Sequence, residues 1–281
     1  MKIIITADST CDLPLDLTER YQIGIAPLYV NMDDKPLRDW EEVKPQDVFD
    51  YSARTGKLAY TSARNIGEYT EFFEKYLSEC DAVVHISIGS GFSSSYQNAL
   101  LAAQDLENVY VIDSGNLTSG HGLIAIRASE LAAEGKTPEK IIEILKDYAL
   151  KVDTSFVLDQ LDYLHKGGRC SGVAALGANL LKLKPCIEVV DGKMQVGKKY
   201  RGSLDKCVGQ YIRERLADTS NIDTARVFIT YAGVTDETIE LARSVVRECI
   251  GDATEILCST AGCTVSCHCG PGTLGLIFVH K

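Results

Sequence analysis

Residues 82–100 read A-V-V-H-I-S-I-G-S-G-F-S-S-S-Y-Q-N-A-L. An apolar run to Ile88 is punctuated by Gly89 and Gly91, and three serines then lead into a helical pattern from Ser95 to Asp105. Strand, tight turn and helix in that order form the unit from which a parallel sheet wound with helices is built. The glycines let the backbone turn sharply, and the serines fall at a helix N-terminus, where free N–H groups and the helix dipole favour an anion. Ser93 is the residue best placed to donate to one; Ser93 to Ser95 also suit plain helix capping. The stretch has no Gly-Lys-Ser/Thr for a Walker loop, no third glycine for a dinucleotide fingerprint and no G-x-S-x-G nucleophile elbow.

The same texture continues through the first half of the chain. Lys2 to Ala7, Ile23 to Val30 and Val109 to Ile112 read as further strands. Ile66, Tyr69, Phe72, Phe73, Tyr76 and Leu77 recur at helical spacing, and helices are expected at Ser119 to Glu134 and Pro138 to Leu150, the latter capped by Thr137. Ligands of such sheets meet the loops at the carboxyl ends of the strands. Four segments assigned to that crest carry hydroxyls: D-S-T at 8–10, T-S at 61–62, residues 89–95, and D-S-G-N-L-T-S-G at 113–120.

After Lys151 the pattern changes. A short strand T-S-F-V-L is followed by H-K-G-G-R, which reads as a helix ending at Gly167 in a left-handed cap, then by a small-residue helix S-G-V-A-A-L-G-A-N-L-L capped by Ser171. Asp191-Gly192 between two strand-like runs is a hairpin signal. A helix at Leu204 to Ala217, a strand at Arg226 to Tyr231, a helix at Asp236 to Cys249, and strands at Glu255 to Cys258 and Thr273 to Val279 complete the chain. The fold expected is α/β, with a doubly wound, mostly parallel N-terminal sheet over residues 1–152. A second, α+β domain with mixed or antiparallel strands covers residues 153–281.

The 281 residues carry a net charge of -10, which argues against generic nucleic-acid binding. Residues 166–206 nevertheless hold nine Lys and Arg against three acids, a local balance of +6 on a chain whose remainder is -16. Such an island suits a phosphorylated ligand or an acidic partner, and equally a solvated charged face. The opening M-K-I-I-I-T-A-D-S-T is too short in apolar residues for a signal-peptide core, and no segment approaches eighteen apolar residues. The expectation is a cytoplasmic protein whose ten cysteines stay reduced.

S-C-H-C-G-P-G, residues 266–272, raises the question of a metal site. The spacing of Cys258, Cys263, Cys267, His268 and Cys269 lacks a C-x2-C knuckle. Read as extended chain, Cys267 and Cys269 point away from His268, which singles out the imidazole. It then serves either as a core histidine bonded to a carbonyl or as a ligand group approached across the glycines. Arg169 opens the basic island and has the geometry to hold phosphate in a bidentate fashion.

Taken together, A-D-S-T at 7–10, T-S at 61, S-G-F-S-S-S-Y at 90–96, D-S-x4-S-G at 113, L-x2-L-x2-G-G-R-x-S at 161–171, L-K-P at 183 and H-x-G-P-G-x2-G at 268–275 resemble the DegV family over essentially the whole chain. These are bacterial fatty-acid-binding proteins that serve as the lipid-carrying subunit of fatty acid kinase. The resemblance implies one long-chain fatty acid between two domains, no other cofactor and no metal. It also implies a non-catalytic role in which the acid is presented to a separate ATP-dependent kinase for acyl-phosphate formation. Carried over by position, Thr61 with Ser62, Ser93 and His268 would hold the carboxylate, and Arg169 and Arg201 would contact the partner or phosphate.

The sequence departs from the family pattern in three places. T-S-A-R-N stands at 61–65, putting Arg64 either near a head group or in solvent; S-S-S-Y closes the serine loop; and Cys269 replaces a usual threonine. A hydrolase using Ser93 or a cysteine with His268 is the alternative from another class, and a redox or metal sensor built on Cys258 to Cys269 is a third.

Overall fold

The computed structural model describes residues 1–170, 172 and 183–281. The expected helix at 171–181, with its Ser171 cap, lies outside the described residues. Four parallel strands, β1 (Ile3–Asp8), β2 (Ile23–Ala26), β6 (Ala82–Ser87) and β7 (Val109–Asp113), form one sheet in the order β2-β1-β6-β7. Every residue of β6 is buried, as a strand covered on both faces requires. A mixed six-stranded sheet has the order β10-β9-β8-β13-β11-β12, from β8 (Val152–Leu158), β9 (Leu183–Val190), β10 (Lys193–Arg201), β11 (Ile222–Ala232), β12 (Glu255–Thr260) and β13 (Thr273–His280). Only β11 and β12 pair in parallel there.

The two sheets are joined through one helix, Thr118–Ala133, whose residues from Thr118 to Ile126 are all buried. Leu123, Ile124 and Ile126 share a hydrophobic cluster with Ile5 and Ile86 of the parallel sheet and with Phe228, Ile277 and Val279 of the mixed sheet. A helix buried on all sides over these residues belongs between layers. Thr137 caps its helix as expected, accepting from Lys140 N at 3.4 Å, and Asn65, for which no cap was expected, accepts from Glu68 N at 3.0 Å while Glu68 Oε2 accepts from Asn65 N at 2.9 Å. Asp191 and Gly192 both have positive φ, 50° and 68°, and turn β9 into β10.

Four expectations require correction. The run Ile23 to Val30 is two strands in two sheets, because Pro27 cannot donate to a ladder and the chain leaves the parallel sheet there. It enters a three-stranded antiparallel sheet, β4-β3-β5, from β3 (Tyr29–Met32), β4 (Lys35–Arg38) and β5 (Tyr60–Ser62). Thr61 and Ser62 therefore sit on a strand of this small sheet and not on a crest loop. The left-handed cap falls on Gly168, φ 68°, one residue beyond the position read from the sequence. Finally, residues 263–269 are a helix and not extended chain. A further helix, Pro45–Thr55, carries no expectation at all.

Candidate ligand cavity

A cavity of about 340 Å3 opens where the carboxyl ends of β1, β6 and β7 face the mixed sheet. That volume falls in the range of small-molecule sites. Its body is apolar: Ile88, Phe92, Leu117, Phe156, Leu164 and Met194 line it and also pack into one cluster. Thr61, Ser62, Ser93, Arg169 and His268 line the same cavity. Arg201 does not; it ends β10, exposed, opposite Leu183.

His268 reaches the cavity from the last turn of the helix Cys263–Cys269. Two buried acids fix the start of that helix. Asp39 accepts from the backbone N–H groups of Cys263 at 2.9 Å and Thr264 at 3.3 Å, and Asp12 accepts from Gly262 N at 2.9 Å. At the other end the imidazole lies over Gly167, where a Cβ would stand 2.5 Å from His268 Nδ1. The first glycine of G-G-R is thus a space requirement, and the second supplies the positive φ. His268 Nε2 pairs with Thr61 Oγ1 at 2.9 Å, while the buried Nδ1 has no partner among the described residues. Burial, followed by the neighbouring Arg169, lowers the His268 pKa to about 4, so the ring is neutral at pH 7.

Arg169 donates to Gly167 O at 2.8 Å and Phe92 O at 3.4 Å, both uncharged. Arg169 is an exposed residue at the cavity lining, and no ion pair to it is found among the described residues. Ser93 Oγ accepts from Ser95 N at 3.1 Å and lies 2.9 Å from Ser95 Oγ, which makes it both a capping group and a cavity-lining one. Ser62 Oγ accepts from Asn31 Nδ2 at 3.1 Å. Arg64 neither reaches the cavity nor faces solvent freely. It donates to Pro27 O and Glu68 O and lies against the rings of Tyr69 and Phe72.

Helical geometry resolves the cysteines. Cys263 and Cys267, four residues apart, share a face packed with Val30 and Val43, and Cys269 joins the cavity-wall cluster. Burial raises all three thiols, that of Cys269 to about 12. Among the described residues no group of three or more His, Cys, Asp or Glu has the arrangement of a metal site. Sequence reasoning passed over Thr264, although its place one helical turn before His268 was available once the helix was recognised.

The DegV family model, described as "Uncharacterised protein, DegV family", matches residues 2–281. The chain belongs to the DegV family. A DegV domain-containing protein of Caldanaerobacter subterraneus subsp. tengcongensis is 30% identical over 284 residues, covering 100% of this chain and 99% of the relative. Among solved structures, a DegV family protein of Thermus thermophilus described by its fatty acid binding superposes with a TM-score of 0.92 at 29% identity, covering 100% of both chains. DegV of Bacillus subtilis, described as a fatty acid binding protein, gives 0.85 at 26% identity, again over 100% of both chains. No helix among the described residues is long and apolar enough to cross a membrane.

Proposed function

We propose that this DegV protein is a cytoplasmic carrier that binds one long-chain fatty acid in the cavity, between an N-terminal unit of residues 1–152 and a C-terminal unit of residues 153–281. The observation carrying this reading is an apolar cavity with a neutral His268–Thr61 pair and an acid-free Arg169 among its lining residues. Each buried methylene contributes about 0.8 kcal/mol, so a chain of a dozen or so supplies on the order of 10 kcal/mol against the cost of ordering the ligand. The carboxylate needs donors wherever it is buried. Thr61, Ser62, Ser93 and His268 supply them with little fixed charge, and Arg169 sets the sign of the potential. The fatty acid binding described for the Thermus thermophilus and Bacillus subtilis proteins supports the same ligand class.

The chain then presents its carboxylate to a separate ATP-dependent kinase, which forms the acyl phosphate. A cradle of mostly neutral donors accommodates that change of head group better than a locked pair of arginines would. The basic segment beginning at Lys166, with Arg169 at the cavity and exposed Arg201 outside it, suits docking of an acidic partner. A hydrolase reading requires Ser93 hydrogen-bonded to His268 and a carboxylate on Nδ1. Ser93 pairs instead with Ser95, and Nδ1 has no such partner among the described residues.

Native mass spectrometry of the purified protein, followed by organic extraction, tests the carrier directly. One fatty acid per chain is expected, with retention reduced roughly tenfold or more in His268→Ala and Ser93→Ala. Unchanged retention in both variants would remove these residues from the site. Turnover of an activated ester that vanishes in Ser93→Ala would favour the hydrolase.

A further inference from the structure

The buried hydroxyls that line the cavity fall into two groups. Thr118 donates to Asp12 Oδ2 at 2.6 Å, Thr230 pairs with Ser119, Ser155 pairs with Tyr211 at 2.8 Å, and Thr273 donates to Cys269 O at 3.0 Å. These are committed to the protein interior. Thr10 and Thr264 also line the cavity, at 0% and 6% exposure, and their Oγ1 atoms have no hydrogen-bond partner among the described residues. A buried hydroxyl left unpaired is costly, and two such groups on one cavity need a joint explanation. Their segments meet on a single acceptor: Ser9 Oγ, adjacent to Thr10, and Thr264 N both bond Asp39 Oδ2, at 3.0 and 3.3 Å.

We infer that Thr10 and Thr264 form a second polar subsite, which takes an uncharged oxygen, hydroxyl or keto, on the acyl chain of the bound fatty acid. The inference rests on the carrier reading and extends it to ligand class. The chemistry of the subsite excludes a second anion. Asp39 and Asp12 already occupy the backbone N–H groups at the start of the helix, and both carboxyls are buried there. A hydroxyl can accept from one threonine and donate to the other, a keto oxygen can accept from both, and neither needs those N–H groups. Position along the ligand follows from the helix: Thr264 precedes His268 by four residues, which places the two side chains about 5–6 Å apart on one face. The oxygen recognised is therefore near the carboxyl end of the chain and not at its methyl end.

The experiment is displacement of a fluorescent fatty acid by palmitic acid and by three monohydroxypalmitic acids, with the hydroxyl near the carboxyl group, at mid-chain or on the terminal carbon. The wild-type protein is expected to prefer the acid hydroxylated near the carboxyl end over palmitic acid by roughly fivefold to tenfold, and to disfavour the terminal hydroxyl. In Thr264→Val and Thr10→Val the ratio of hydroxylated to plain acid should fall to about one, and Thr264→Ser should restore it. Palmitic acid that binds while no hydroxylated isomer is preferred, or a preference that survives both valine variants, would overturn the subsite. Failure of every acid, palmitic included, to displace the probe would instead overturn the carrier reading.

Discussion

Two buried histidine centres lie on the two sides of the crest, and they are finished to different degrees. In the parallel sheet, the Asp8 carboxylate accepts from Tyr69 at 2.5 Å, Ser87 at 2.7 Å and Ile88 N at 2.9 Å, with His85 Nε2 at 3.3 Å. Burial by itself would raise that carboxyl, but His85, His121 and Tyr69 outweigh it and bring it to about 2. Among the described residues no acid pairs with His268, its Nδ1 has no partner, and Thr10 and Thr264 are unpaired in the same cavity. The Asp8 centre is built on a saturated carboxylate, with His85 Nε2 and His121 Nδ1 left without a hydrogen-bond partner among the described residues, and a polar centre anchored on such a carboxylate stabilises the empty protein. An unsaturated one leaves hydrogen-bonding capacity for something else, at some cost to the empty state. The contrast separates scaffold from site more sharply than burial does, since both centres are buried.

The strongest way to break that contrast is to damage each centre in turn. Asp8→Ala strands Tyr69, Ser87, Ile88 N and His85 in a buried interior, and should lower unfolding free energy by about 3–5 kcal/mol in urea titration. His268→Ala removes one desolvated ring whose hydrogen bond among the described residues is to Thr61, and should cost far less stability while ligand retention falls. Equal destabilisation by both substitutions would mean that His268 is as structural as Asp8.

How far these centres were legible in the sequence depends on the distance over which each is assembled. The turn at residues 89–95 and the Asp191-Gly192 hairpin are local, and their chemistry announces them. The small sheet that carries Thr61 is not local. It pairs Tyr29–Asn31 with Tyr60–Ser62 across a helix, and Tyr60–Ser62 is too short to show a period of two. The helix Cys263–Cys269 was hidden for a different reason. Seven residues of Cys, Thr, Val, Ser and His carry little helical propensity, and the acid that holds the start of the helix is Asp39, supplied from 224 residues earlier in the chain. The sequence reading singled out His268 by strand alternation, whereas in the structure the segment is a helix from whose last turn His268 lines the cavity.

A contact between two readable turns offers an intermediate test. A Cβ on Gly91 would stand 2.2 Å from Gly192 O, so the crest loop and the hairpin turn touch backbone to backbone near Phe92 and Met194 of the cavity wall. Gly91→Ala should cost about 1–3 kcal/mol, or move the hairpin and raise the ligand off-rate if the strain is relieved there. Neither change, in urea titration and in ligand release, would mean that the hairpin does not close on this loop.

The smallest effect sharpens the comparison most, because it gives two histidines the same behaviour without ligand and different behaviour with it. Burial lowers the pKa of His121, beside the parallel sheet and bonded to Ile86 O at 2.8 Å, to about 4, as burial and Arg169 do for His268. In the unfolded chain both protonate near 6.5. The unfolded state therefore binds protons first as pH falls, and the empty protein should lose stability progressively between about pH 6.5 and 4 on account of both rings. A carboxylate held at His268 acts in the opposite direction. It favours the imidazolium, raises the pKa of that ring alone, and couples ligand binding to proton uptake. Fatty acid affinity should then rise a few-fold, and at most about tenfold per unit, as pH falls from 7 towards 5. Binding titrations across that range in the wild type and in His268→Gln decide the matter. A slope present in the first and absent in the second assigns the proton to His268. An equal slope in both would place it on another group and return His268 to the same structural class as His121.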